Sequence, residues 1–290
     1  MCNTAIIVVL YAAILESLII IVGNIFTIFV FWKNRSSLKR TSFLVINLAV
    51  ADLFVGFTSL VPLGAFIIPE NFKERNFNSS RNANIWTAFE ISFSYASVFF
   101  LVLISLERVY ALIWPLRHRV TSTKGYTYST TFAWITAIIV VALTCLALYD
   151  ILDLSYWILA MGCVMILCLV TICVSYLAIR TRLNCRAPTI DGARNRQNEQ
   201  QQNAKLSRTL FIMITASLSF WVPSIVVFCT RLLCFNCVPF LVFEIFNLFC
   251  LANSLVNPII YSFKIPMFRE TFKRAKLCKR SRQYTVNYMG

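Results

Sequence analysis

Charge is scarce in this chain. Asp, Glu, Lys and Arg make up 13% of its 290 residues, where a soluble domain carries about a quarter. A soluble globular body is therefore excluded. Acid is scarcer than base, 12 residues against 27, which leaves a net charge of +15. Histidine occurs once, at His118, with no nucleophile, metal cluster or phosphate loop beside it. Histidine-dependent catalysis and a multi-histidine metal centre thus drop out. Internal repeats are missing as well, which argues against a transporter built from two related halves. No basic segment precedes the first apolar run, and that run is too long for the core of a cleavable signal, so it is expected to stay as an anchor.

What fills the chain is hydrocarbon. Hydrophobic residues are 59% of the sequence, and mean hydropathy is +0.72. A bilayer span needs roughly 20 mainly apolar residues. The sequence offers that length at Ala5–Trp32, Ser42–Ile68, Ile85–Trp114, Tyr126–Leu148, Trp157–Leu183, Leu206–Leu233 and Val238–Phe263. The fold class this predicts is all-α integral membrane, a seven-transmembrane helix bundle over residues 1–264. Residues 265–290 follow as a short amphipathic membrane-surface helix and tail. Ile265, Phe268 and Phe272 form one greasy face, opposed by Arg269, Lys273 and Lys276, the pattern of a helix lying on a leaflet. Cys278 at its end is a candidate palmitoylation site.

The bases gather at one side of the expected bilayer. Lys33, Arg35, Lys39 and Arg40 follow the first span, Arg117, Arg119 and Lys124 the third, and a longer set surrounds the connection between the fifth and sixth. Only Lys73, Arg75, Arg81 and Arg231 fall on the other side. The positive-inside rule then puts the N-terminus outside and the tail in the cytoplasm. Bases at bilayer edges have anionic lipid as their ordinary partner, so nucleic acid is discounted. Asn78-Ser79-Ser80 is a glycosylation sequon in an outer loop. Cys234 and Cys237 lie on the oxidising side, where a disulfide between them is chemically permitted.

Several polar residues sit where hydrocarbon should be. Asp52 falls near mid-membrane, where a charge costs several kcal/mol unless paired or hydrated. Ser97 lies 11 residues before Arg108, roughly 16 Å along a helix, a height that suits contact with Asp52. Glu90 lies 18 residues before Arg108, roughly 27 Å away, in the outer third of its span. Asn253, Ser254, Asn257, Pro258 and Tyr261 share the seventh span. Proline there leaves a backbone carbonyl unpaired, and lipid has nothing to pair it with.

Taken in order, these landmarks resemble the rhodopsin-like G-protein-coupled receptors over nearly the whole chain. They run Gly23-Asn24, Asn47-Leu48-Ala49-Val50-Ala51-Asp52-Leu53, Glu107-Arg108-Val109-Tyr110, Trp134, Phe220-Trp221-Val222-Pro223 and Asn257-Pro258-Ile259-Ile260-Tyr261. The resemblance implies a cell-surface receptor that turns ligand binding into G-protein activation and carries no chemistry of its own. Its partners would be an extracellular ligand, a heterotrimeric G protein, arrestin and membrane lipid. Glu107, Arg108, Tyr176, Pro223 and Tyr261 match the activation machinery, with Arg108 ion-paired at rest and freed as the sixth helix swings outward. Asn24, Asp52, Ser97, Asn253, Ser254 and Asn257 match a polar cluster that holds sodium and water; a neutral Asp52 with water alone fits the same residues. No other cofactor is implied.

Glu90 corresponds to an aspartate that pairs with the ligand ammonium in the amine-binding branch of that family, so an amine or peptide amine is the expected ligand. Ser94 and Glu244 are further pocket candidates. A carboxylate satisfied by its neighbours is the alternative for Glu90, and a lipid ligand would shift attention to Phe93, Trp221 and Phe228. The chain departs from the family pattern at Ala83, where a disulfide cysteine is expected, and in the short loop Tyr149–Tyr156. Those departures and the outer-loop cysteines look like the melanocortin receptors, while Pro258–Phe272 looks like the adenosine receptors. Phe228 and Leu251 replace the residues expected to contact adenosine. Leu251 also stands where an opsin needs lysine. The rival from another class is a seven-helix transporter or channel.

The resemblance further implies an acid on the sixth span that helps to latch Arg108. Counting 20 residues back from Pro223 gives Asn203, with Lys205 beside it. An amide offers Arg108 no opposite charge. Losing about 1 kcal/mol from a resting state shifts its ratio to the active state about five-fold. Appreciable ligand-free signalling is therefore expected, and Asn203→Glu should lower it. The check is cyclic AMP or nucleotide exchange at equal receptor density; unchanged basal output would show that another contact holds the helix closed.

Overall fold

The first helix, Cys2–Lys33, is built inside out relative to a soluble one. Val8, Tyr11, Leu15, Val22, Ile25, Phe29 and Trp32 form an exposed stripe at three- and four-residue spacing. The opposite stripe, Ala13, Ser17, Ile20, Asn24 and Thr27, is buried and holds the polar side chains. Such a helix can face lipid on one side and a polar interior on the other. Within it the backbone pairs itself, which hydrocarbon requires. The fourth helix, Thr123–Leu148, repeats the arrangement, with Phe132, Ile135 and Ile138 outward and Thr130, Ala133, Ala137 and Thr144 buried.

The structure, a computed structural model, describes residues 2–34, 40–67, 79–120, 122–184, 211–213, 215–230, 233–234, 237–264 and 268–271. The remaining helices in chain order are Arg40–Ile67, Ser79–Ile113, Pro115–Val120, Leu154–Asn184 and Phe240–Lys264. A further span covers Phe211–Thr230, so seven helices among the described residues are long and apolar enough to cross a membrane. Asn78, Asn203 and Cys278 lie outside the described residues.

The helices match the expected spans with three differences. The third helix starts at Ser79 rather than at Ile85, because Arg81, Asn82 and Asn84 dilute the apolar signal without breaking the helix. The stretch after the third span, expected as a loop, contains the helix Pro115–Val120. Proline at the first helical position is already set in the required backbone geometry and lacks only an N–H that would have no partner. Phe268, expected on a lipid-facing surface, is instead fully buried. Its ring sits 6.0 Å from Phe26, 5.6 Å from Phe31 and 6.2 Å from Tyr261.

Pro258 shows how the bundle deals with a broken backbone ladder. Proline cannot donate to the carbonyl four residues earlier, that of Ser254. Asn24 of the first span reaches that carbonyl with Nδ2 at 3.5 Å, while donating to its own Ile20 carbonyl at 3.0 Å. Gly23 lets the two helices close to that distance, since a Cβ there would lie 3.1 Å from Pro258 Cβ. The first and second spans meet at Gly56, where a Cβ would stand 2.9 Å from Ile20 Cγ2 and 3.0 Å from the Ser17 carbonyl oxygen. The second and fourth are joined by Trp134, whose Nε1–H donates to Asn47 Oδ1 at 3.0 Å.

The fourth and fifth spans are joined by only Tyr149–Asp153. Asp150 adopts φ 59°, a left-handed conformation that aspartate tolerates better than most residues. Asp153 Oδ1 then accepts from the Ser155 N–H at 2.8 Å and starts the next helix as an N-cap. At the far end of the sixth span a disulfide joins Cys234 to Cys237.

Gly56→Val should force the first and second helices apart. One of the two nearest obstructing atoms is backbone and cannot move aside like a side chain, so the overpacking cost is expected at the upper end of about 1–3 kcal/mol. A lower unfolding midpoint in detergent and reduced surface delivery are the expected readings; Gly125→Ala, with nothing within 4 Å of the added carbon, is the neutral control.

Candidate functional site

The third helix carries three polar stations at different heights. The middle one is formed around Asp52, which is fully buried. Ser97 Oγ donates to Asp52 Oδ1 at 2.6 Å and Asn257 Nδ2 donates to Oδ2 at 2.7 Å. Ser254 supplies a further hydrogen-bonding side chain. One carboxyl group thus ties the second, third and seventh spans together. Both short partners donate, so both carboxyl oxygens act as acceptors. Asn24 and Asn253 are buried as well. Asn24 Oδ1 and the Tyr261 hydroxyl have no hydrogen-bond partner among the described residues.

Toward one end, Arg108 Nε donates to Glu107 Oε2. The other oxygen of that carboxylate receives two more side chains. Tyr126 donates its phenol proton to Oε1 at 3.1 Å, and His118 Nε2 lies 2.9 Å from the same atom. Neither His118 nor Tyr126 stood out as functional in the sequence. The Tyr110 ring, centred 6.0 Å away, flanks the imidazole. A cavity of about 310 Å³ opens beside Glu107, lined by Leu44, Leu103, Leu106, Gly125, Tyr126 and Ser129 among others. Tyr176 stacks on Phe211 with centroids 4.6 Å apart, linking the fifth and sixth spans.

Toward the other end, Glu90 is half-buried, with Ser59 of the second span as a hydrogen-bonding neighbour and Glu244 facing it from the seventh. Ser94 lies one turn along the same helix, half-buried. Trp221 is buried, its ring 6.4 Å from Tyr95, and its Nε1 has no partner among the described residues. Phe228 packs edge-on against Phe243 of the seventh span at 5.1 Å. Phe93 turns away from that group. It stacks on Phe54 at 4.9 Å and presents its edge to Trp134 at 6.4 Å. Of the residues expected around a ligand, Glu90 and Glu244 interact, with Ser59 as a further neighbour of Glu90 that the sequence did not single out, while Phe93 joins an aromatic chain between the second and fourth spans. Leu251 is buried against Ile20 and Val55.

Seven apolar helices around a buried carboxylate, with an ion-paired arginine near one end and an acid-lined region near the other, define a heptahelical membrane receptor. The chain matches the 7 transmembrane receptor (rhodopsin family) over residues 23–261, and it belongs to that family. It is similar to trace amine-associated receptor 5 of Pan troglodytes, 29% identical over 282 residues that cover 88% of this chain and 81% of that receptor. It is similar also to trace amine-associated receptor 9 of Rattus norvegicus, 27% identical over 296 residues (91% and 86% of the two chains). Adenosine receptor A3 of Canis lupus familiaris is 25% identical over 297 residues, 92% of this chain and 91% of the other. The protein is accordingly a multi-pass membrane receptor that signals through G proteins, and not an enzyme.

Proposed function

We propose that the receptor binds a cationic amine between its outer helix ends, with Glu90 as the counter-ion, and releases Arg108 toward a G protein at the inner end. The convergence of Glu90, Glu244 and Ser59 carries this reading. A half-buried site with two carboxyl groups attracts positive charge and has little to offer a neutral or anionic ligand. Relatives named for trace amines support the same class of ligand. The N-terminus faces outward and the tail inward, because Arg117, Lys124, Arg180 and Arg182 all fall at the Arg108 end. Arrestin and inner-leaflet lipid are further partners at that end.

Asp52, Ser97, Ser254 and Asn253 offer only oxygen and amide groups around one carboxylate, a hard donor set suited to sodium. The unpartnered Asn24 Oδ1 nearby fits an ion with its water. Bound there, sodium would favour the arrangement in which Ser97 and Asn257 both hold Asp52, the resting one. A neutral Asp52 with water alone would do the same without sodium dependence.

Two substitutions test the two ends. Arg108→Ala should abolish nucleotide exchange while ligand affinity is largely kept; full signalling at matched surface expression would defeat the assignment. Glu90→Gln should weaken binding of a cationic agonist by the loss of a charge-assisted bond, roughly 1.5–3 kcal/mol, or about ten- to hundred-fold. Unchanged affinity for an agonist shown to be cationic would return Glu90 to a structural role.

A further inference from the structure

The Glu107 carboxylate is held by more than its neighbour Arg108. His118 and Tyr126 converge on Oε1 from two other helices, 2.9 and 3.1 Å away, with imidazole and phenol 3.2 Å from each other. Their placement follows from the backbone. The third helix ends at Ile113, and Pro115 starts a six-residue helix whose first turn is closed by the His118 N–H on the Trp114 carbonyl at 2.9 Å. That turn swings the chain's only histidine back onto Glu107. Tyr126 enters from the first turn of the fourth span.

The distances fix where the imidazole proton lies. An ionised carboxylate only accepts. The single phenol proton goes to Oε1, and Nε2 faces both that oxygen and the phenol oxygen. Nε2 must therefore carry a hydrogen, because a bare lone pair would confront two acceptors. The neutral ring thus has its lone pair on Nδ1, where a second proton would be added. Neither contact breaks; only the charge changes.

We infer that His118 is a positioning residue for the Glu107–Arg108 pair, and that its protonation loosens Arg108 and raises receptor output. This rests on the role proposed above for Arg108. With His118 charged, one carboxylate lies between two cations, Arg108 on Oε2 and the imidazolium on Oε1. The second cation lowers the negative potential that holds the first and repels it directly. Among the described side chains near the imidazole, the other titratable or charged groups are Tyr110 of the third helix, Arg117 beside His118, and Lys124 and Tyr126 of the fourth. Arg117 and Lys124 are positive, so the surroundings add to the repulsion. An imidazole changes charge between about pH 5 and 8.

The test uses the full chain in lipid nanodiscs, without ligand, and measures nucleotide exchange on added G protein between pH 7.5 and 6.0. Exchange should rise about two- to five-fold on acidification, a modest population shift. His118→Gln, which keeps an N–H donor but takes no proton, should flatten the profile; dividing wild type by this variant cancels any pH response of the G protein. The same slope in wild type and His118→Gln, or no slope in wild type, would overturn the inference. A second reading needs no signalling: with ¹⁵N-labelled histidine a single imidazole is seen, which should carry its proton on Nε2 at pH 8. A proton on Nδ1 at pH 8 would overturn it equally. Arg108→Ala separates the two levels, since full exchange by that variant refutes the role of Arg108 while the imidazole measurement still judges His118.

Discussion

A carboxyl group buried in the middle of a membrane bundle must be satisfied by its neighbours, and much of this fold can be read as the means of doing so. Asp52 accepts from Ser97 at 2.6 Å and from Asn257 at 2.7 Å, which fixes the second, third and seventh helices to one point. An unsatisfied buried polar group costs about 1–3 kcal/mol, and a charged one more. The polar stripes buried on otherwise greasy helices follow from the same demand. Asn24 reaches the Ser254 carbonyl that Pro258 leaves open, and Gly23 permits the approach. The first span is thus drawn to the seventh by the repair of a single missing hydrogen bond.

Polar ties of this kind differ from apolar packing in how they can change. Lipid tails are as apolar as leucine, so helix association in a bilayer depends on close packing and on hydrogen bonds between helices. Packing against Phe100 or Met165 holds whichever way a proton or ion moves. Contacts at Asp52 and Glu107 can be exchanged for water, sodium, a proton or a partner's side chain. The third helix touches both stations, through Ser97 and through Glu107, about 15 Å apart by helical rise. A shift that alters one can alter the other through a rigid element, with ligand at Glu90 and G protein beyond Arg108 as the biasing agents.

The sequence made some of this legible and concealed the rest for physical reasons. Heights along one helix follow directly from residue counts, so Ser97 could be matched to Asp52 and Glu90 placed above both. Seven apolar runs were readable because bilayer thickness sets their length. The link between Trp134 and Asn47, 87 residues apart, depends on two helices meeting and leaves no periodic trace. His118 was hidden by a local event: Trp114 and Pro115 end one helix and start another, turning an apparently idle loop histidine onto Glu107. Phe93 is legible in height but not in direction: its place around the helix takes it to Phe54 and Trp134. Phe268 followed the amphipathic pattern correctly, yet its partner was protein and not lipid.

Ser97 and Asn257 act on one shared carboxylate that holds three helices together. A double-mutant cycle with Ser97→Ala and Asn257→Ala, read as unfolding free energy in mixed micelles, tests it most directly. Once one donor is gone the carboxyl can take a proton, so the second loss should matter less. The double variant should lose at least about 0.5 kcal/mol less than the sum of the single losses, within the range found for residues that share a partner. Additivity to within about 0.3 kcal/mol would mean that the two side chains act independently, and would contradict it.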